Sequence, residues 1–237
     1  MAAWKGAVLG DIHGNLGALE AALKEIKRSK PDVLLITGDL ALNGPQPAEV
    51  VRRVRELEAD GAIVVQGNTD VAVADFDYAA AFPFLDEVPA GHRAAAEWAH
   101  DQLAGDELDY LRRLPYERRV DVDGVMVLLC HGAPGSQASG LAVDLDPNLT
   151  VERVTRTDAR VICCGHTHVA DTRELGRKLI VNPGSCGYAF DGDPTACWAL
   201  LTIDEDGNDP QAELFRPAYD AAAAAEEVSG RGLVGDV

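Results

Sequence analysis

The chain has 237 residues, 47% of them apolar, enough to bury a full hydrophobic core without disulfide staples. A formal net charge of -18 argues against affinity for long nucleic acid, because binding a phosphate backbone needs Lys and Arg to displace counterions. A small phosphorylated substrate stays compatible with it, since bound divalent ions make one pocket locally positive.

From the N-terminus, AVLG (7–10) reads as a short buried strand ending in Asp11-Ile12-His13-Gly14-Asn15. Asn15 is placed to cap a helix whose stripe is Leu16, Leu19, Leu23 and Ile26. DVLLITGD is a second strand running into Gly38-Asp39. A second helix follows, with Val50, Val51, Val54 and Leu57 on its apolar face. AIVVQGNTD repeats the pattern and delivers Gly67-Asn68-Thr69-Asp70. Three strand–loop units separated by helices indicate βαβ organisation, in which ligand sites gather at the carboxyl ends of the strands.

Residues 71–118 have a different texture: helical stretches broken by Pro and Gly, with no good strand. They are expected to form a helical cap or insertion, with Trp98 and Leu103 packing on the main body or at a homodimer contact. ERRVDVDGVMVLLCHG then reads as a hairpin around Asp123-Gly124, ending at His131. VICCGHTH delivers His166 and His168, KLIVNPGS an Asn182-Pro183-Gly184-Ser185 turn, and ACWALLTIDEDGNDPQAELFR a final strand pair. The domain reading is one catalytic domain over 1–217, and a helix with a flexible Gly-rich tail over 218–237 that carries no chemistry.

The five cysteines lie mostly in interior-strand patterns without a CxxC motif, and are read as reduced core residues. The N-terminus reaches its acidic motif before a signal-peptide core develops, and no apolar run reaches transmembrane length. The expected location is the cytoplasm, with no membrane partner.

Four of the six histidines sit in glycine-containing motifs at strand ends (DIHGN, CHG and GHTH), whereas core histidines would fall within a strand or helix stripe. With Asp11, Asp39 and Asn68 they make seven candidate ligands, Asp11, His13, Asp39, Asn68, His131, His166 and His168, more than one tetrahedral zinc needs. Mixed imidazole and carboxylate donors suit two borderline transition ions, Mn first, with Fe, Zn, Co or Ni as alternatives. A carboxylate bridging ions roughly 3.5–4 Å apart is a known arrangement for phosphoryl hydrolysis. If the first strand continued, Asp11 and His13 would point to the same side and address one ion. His166 and His168 would do likewise unless a turn separates them.

These elements, in this order over about 160 residues, resemble the calcineurin-like metallophosphoesterases. The opening DIHGNLGALEAAL and the GDLALNGP stretch are similar to the bacterial branch related to diadenosine tetraphosphatases and serine/threonine phosphatases. The resemblance implies an α/β fold, a four-layer αββα sandwich of two mixed sheets. It also implies that Asp11, His13 and His168 hold one ion, that Asp39 bridges, and that Asn68, His131 and His166 hold the other. A hydroxide bridging the ions would attack the phosphorus of a phosphomonoester or phosphodiester, such as a nucleotide.

One departure stands out: the position after Gly67-Asn68, a histidine in many members of the family, is Thr69. Threonine is no general acid near neutral pH, though its hydroxyl can hydrogen-bond a phosphoryl oxygen. Good leaving groups are then favoured, unless His92 or His100 from the helical segment supplies the proton. Asp70 either orients a ligand or caps the loop. Asn182 is positioned to hydrogen-bond a ligating histidine from behind, with Asn15 in the same supporting role. Arg173 and Arg177 are either surface residues or a clamp for a second phosphate.

A nuclease is the alternative within enzymes, weakened by the net charge. A degenerate scaffold is the alternative outside enzymes, weakened by seven intact candidate ligands. GxGxxG and P-loop signatures are absent. Substrate identity is expected to reside in 71–118 and in the 133–148 loop.

Overall fold

The computed structural model describes residues 3–204 and 209–233. Its first half alternates as the hydrophobic periodicities predict: β1 (Trp4–Leu9), α1 (Leu16–Ser29), β2 (Val33–Ile36), α2 (Pro47–Ala59) and β3 (Ile63–Val64). The Asn15 side chain caps α1 by accepting from the Ala18 N–H at 3.1 Å, and Pro47 opens α2, where a missing N–H costs nothing. Four helices follow: α3 (Asn68–Asp75), α4 (Tyr78–Ala81), α5 (Ala90–Gln102) and α6 (Gly105–Arg113). The helical run thus starts at Asn68 itself and stops before β4 (Glu117–Val122).

The second half is β5 (Val125–Cys130), α7 (Pro147–Val154), β6 (Val161–Cys163), β7 (Asp171–Leu175), β8 (Lys178–Asn182), β9 (Trp198–Ile203), β10 (Gln211–Phe215) and α8 (Ala221–Gly230). Asp123 and Gly124 take φ 50° and 89°, the left-handed pair that a tight β4–β5 hairpin requires. Both β7 and α7 escape a pattern reading. DTREL carries too many polar residues to signal a strand, and the apolar spacing of PNLTVERV is too short to signal a helix. The end of the Gly-rich tail, 234–237, lies outside the described residues.

Two mixed five-stranded sheets result, in the orders β10-β9-β1-β2-β3 and β4-β5-β6-β8-β7. Each has three mutually parallel strands, β1, β2 and β3 in the first and β5, β6 and β8 in the second, with an antiparallel neighbour β9 (paired to β10) in the first and β4 and β7 in the second. The sheets pack face to face through Val8, Leu35, Val127, Leu129, Val181 and Leu201. Helices α1, α2, α5 and α6 cover the outside of the first sheet, and α7 covers the second through Val154. The architecture is therefore the αββα sandwich, with a heavier helical layer on the first sheet. Leu103 is buried and Trp98 half-buried against this layer, so both pack on the main body.

Candidate metal centre

Seven side chains meet where the carboxyl ends of five strands converge. Asp11 and His13 follow β1, Asp39 follows β2, Asn68 opens α3 just after β3, His131 follows β5, and His166 and His168 follow β6. Asp11 and His13 do fall in one donor group, but not by strand continuation. β1 ends at Leu9, and both residues adopt left-handed backbone, φ 50° and 49°. Their turn is laced onto the one after β2, with the N–H groups of Asp11, Ile12, His13 and Gly14 donating to the carbonyls of Gly38, Asp39, Asp39 and Leu40 at 2.7–3.0 Å. Convergence thus comes from paired turns instead of strand alternation. His166 and His168 also adopt left-handed backbone, φ 71° and 58°, and fall in different donor groups.

Of nine non-glycine residues with positive φ among the described residues, five are in the seven: Asp11, His13, Asp39, His166 and His168. Left-handed backbone costs a residue with a Cβ roughly 1–2 kcal/mol. Such strain persists only where the surroundings over-determine it, and it clusters at functional sites.

The seven divide into two groups around Asp39. In the first, His13 Nε2 lies 3.1 Å from His168 Nε2 and 3.5 Å from Asp39 Oδ2, while His168 Nε2 lies 3.5 Å from Asp11 Oδ1. The donor atoms of Asp11, His13, Asp39 and His168 all fall within 4.8 Å of one another. In the second, Asn68 Oδ1 sits 2.9 Å from His131 Nε2 and 3.0 Å from His166 Nδ1, and Asp39 Oδ1 is 3.4 Å from His131 Nε2. The two oxygens of Asp39 are thus shared between the groups. Asn68 is oriented by its own amide, which donates to the Ala81 carbonyl at 3.1 Å.

The tautomers follow from what lies behind the rings. His13 Nδ1 meets the Leu42 carbonyl at 2.8 Å, and His168 Nδ1 meets the Tyr188 carbonyl. A carbonyl only accepts, so both Nδ1 atoms carry the proton, and the two Nε2 lone pairs face each other. Burial, helped by the neighbouring imidazole of His168, pushes His13 down to about 4, and burial also lowers His168. Neutral rings with lone pairs opposed at 3.1 Å repel unless they share a cation, and carboxylates stand beside them. This donor set fits a divalent metal ion.

His166 is likewise pushed down to about 4 by burial and by His131. His131 goes the other way. Burial opposes its charge, but the carboxylates of Asp39 and Asp11 outweigh it and raise the ring to about 9. Asp39 is held well below the usual carboxylate range: burial disfavours its charge, but His131 and His13 overcome that. Burial raises Asp11 to about 6 against the pull of His131.

Two glycines allow these approaches. A Cβ on Gly67 would stand 2.0 Å from Asp39 Oδ1, and one on Gly165 would stand 2.5 Å from Asp11 Oδ2.

Asp70 acts through the backbone of the neighbouring turns. Its carboxylate accepts from the N–H groups of Asp39 (3.1 Å), Leu40 (2.8 Å) and Gly67 (2.9 Å), so it caps α3 and fixes the Asp39 backbone together. Asn182 departs from expectation. Its amide donates to the Gly165 carbonyl at 3.0 Å and to Thr167 Oγ1 at 2.9 Å, so it braces the loop carrying His166 and His168 without touching either ring. Asn15 donates to the Gly187 carbonyl and to Tyr219 Oη, both at 3.1 Å, tying the first turn to the C-terminal segment.

A cavity of about 150 Å³ opens over Asp39 and Asn68, with Thr69, His92, Tyr188 and Phe190 on its walls. Thr69 Oγ1 is buried and has no hydrogen-bond partner. His100 is elsewhere, its Nδ1 2.7 Å from the Val73 carbonyl and its ring against Phe76. Arg173 pairs with Asp171 and donates to the carbonyls of Leu141 and Ala142, and Arg177 is exposed. Neither arginine lines this cavity. The sequence reading missed Tyr188 and Phe190. Both are exposed, and Phe190 stacks on His168 at 4.3 Å. In a chain only 5% aromatic, two rings just past the Asn-Pro-Gly-Ser turn were the available signal.

This sandwich, with Asp, His and Asn donors at its strand ends, has the form of a metal-dependent phosphoesterase. Residues 5–206 match the model of the calcineurin-like phosphoesterase superfamily domain, and the chain belongs to that superfamily. A metallophosphoesterase structure from Sphaerobacter thermophilus is 28% identical with a TM-score of 0.75, covering 99% of this chain and 96% of that one. A hypothetical protein of Pyrococcus horikoshii shares the fold at 21% identity and TM-score 0.80, over 100% of this chain and 96% of that one. In sequence, an uncharacterized protein of Methanocaldococcus jannaschii is 26% identical over 237 residues, 94% of this chain and 90% of the relative. The symmetrical bis(5'-nucleosyl)-tetraphosphatase of Paracidovorax citrulli is 29% identical over 154 residues, 65% of this chain and 50% of that enzyme. The match thus spans half the length of that enzyme. Among the described residues, no helix is long and apolar enough to cross a membrane.

Proposed function

We propose that the seven side chains hold two divalent transition ions, Mn first among them, and that the protein hydrolyses small phosphate esters, nucleotides included. The observation that carries this is the opposed pair of Nε2 lone pairs, with the two Asp39 oxygens divided between the donor groups. When bound, two such ions supply a water of lowered pKa and neutralise charge on the phosphoryl oxygens. The protein's part is positional. Asp39 spans both groups, Asp70 holds Asp39, and the carbonyls of Leu42, Thr37 and Tyr188 hold three rings in the ligating tautomer. Thr69 Oγ1 is a free donor for a phosphoryl oxygen, and His92 stands on the cavity wall within the same opening.

The nucleotide reading draws on the tetraphosphatase relative, and a nuclease acting on long polymers is disfavoured by the charge of -18. A cytoplasmic setting is supported by five buried, free cysteines. The test is hydrolysis of bis(p-nitrophenyl) phosphate and of a nucleotide panel by protein stripped with EDTA and reloaded with Mn. Activity lost on stripping and restored by Mn is expected. Inactivity of the Mn-loaded protein across the panel would contradict the proposal.

A further inference from the structure

Beside the metal centre lies a second cavity, of about 220 Å³. Its walls are the Asn43–Pro45 turn, the Tyr188 ring and helix α8, which contributes Ala224, Ala225 and Val228. These three positions lie on one helical face by their spacing. His13, Asn43 and Tyr188 line both this cavity and the one over Asp39 and Asn68, so the two adjoin at the metal centre. The C-terminal segment, expected to carry no chemistry, thus walls a cavity beside the metal centre.

The character of the wall narrows what fits. Apart from the His13 ring, which belongs to the first donor group, no titratable side chain except the phenols of Tyr188 and Tyr219 lines it. This is notable in a chain of net charge -18. A polyphosphate arm would meet no Lys or Arg on these walls, whereas a flat uncharged group would meet Ala and Val methyls and a tyrosine ring. An apolar cavity of roughly 150 Å³ is already large enough to take a benzene ring. No residue of α8 is fully buried: on its inward face Ala224 and Val228 are half-buried and Ala225 is exposed. The helix is nevertheless fixed in place. Gln46 reaches Glu227 at 3.1 Å, and Arg231 donates to the Gly44 carbonyl at 3.1 Å while its guanidinium lies 4.5 Å over the Trp98 ring.

We infer that the cavity under α8 is a substrate subsite, which receives a flat uncharged aromatic group of the ester whose phosphate sits at the metal centre. The inference rests on the metallophosphoesterase reading above. Two ligand pairs, each differing by one aromatic group, test it: AMP against ribose 5-phosphate for a nucleobase, and phenyl phosphate against methyl phosphate for an aryl group. Binding to the Mn-loaded full-length protein is measured by titration calorimetry for wild type, A225F, which fills the cavity, and A225D, which charges its wall. Position 225 is exposed and belongs to none of the hydrophobic clusters, and metal content and Tm check that the site is intact. Wild type should bind the aromatic member of at least one pair more tightly. Both variants should weaken that member by about tenfold or more while changing its ringless partner by less than about twofold. The pair that responds identifies the aromatic group. Equal affinity of wild type for both members of each pair, or equal weakening of both in the variants, would overturn the subsite alone. A wild-type protein that binds neither Mn nor any of the four ligands would overturn the metallophosphoesterase reading instead.

Discussion

Asp39 is the residue on which the site turns, because its two oxygens serve both donor groups and its backbone is held by Asp70. D39A should therefore reduce Mn content and lower kcat by about 10³-fold or more, as loss of a principal electrostatic element does. Turnover within about threefold of wild type would exclude a bridging role. D70A leaves three buried N–H groups unpaired, each worth roughly 1–3 kcal/mol, so it should destabilise the fold by about 3 kcal/mol or more in urea titrations. His131 makes a prediction about pH. With the ring raised to about 9 in the metal-free protein, an ion must displace a proton there. Mn affinity should rise as pH increases toward 9 and level off above it, with proton release visible as buffer-dependent calorimetric enthalpy. His92 is the histidine outside the seven that lines the opening. H92A should steepen the leaving-group dependence, losing about 10²-fold on alkyl esters but staying within about threefold on activated aryl esters. Equal losses on both would remove His92 from proton transfer.

At the scale of elements, the turns after the strands carry the chemistry, and glycine makes them possible. G67A would drive a Cβ to 2.0 Å from Asp39 Oδ1, so it should displace that carboxylate and empty the centre of Mn even where the protein remains folded, as elemental analysis would show. These turns were legible because their signal is chemical: Asp, His and Asn beside Gly after an apolar run. The elements that escaped carry weaker signals. β7 is polar along most of its length and held by pairing to β8, while α7 is eight residues long. Whether β1 continues through Asp11 to His13 stayed open in the sequence, because strand alternation assumes negative φ and an Asp or a His adopts left-handed backbone only where its surroundings require it. Asn182 was placed near the right loop but given the wrong partner, since only the three-dimensional path of the loop shows which atoms its amide reaches. α8 shows the same limit more sharply: an alanine-rich helix says nothing about where it docks.

At the scale of the molecule, the metal centre joins the two sheets. Asp11, His13, Asp39 and Asn68 come from the first sheet and His131, His166 and His168 from the second, and His131 Nδ1 meets the Thr37 carbonyl across the divide at 2.7 Å. Ions held there would stabilise the packing of one sheet on the other by mass action, by about 2.7 kcal/mol at a hundredfold excess over Kd. Stripping the metal should therefore lower Tm by roughly 5–10 °C for a chain of this size, and Mn should restore it. An unchanged Tm would mean that no ion ties the sheets. The central claim, two ions flanking Asp39, is tested most directly by anomalous diffraction at the Mn edge from crystals grown with Mn, alongside elemental analysis of the same protein. Two anomalous peaks are expected, roughly 3.5–4 Å apart, one among Asp11, His13 and His168 and the other among Asn68, His131 and His166, with Asp39 between them. A single peak, or peaks away from these side chains, would contradict the account.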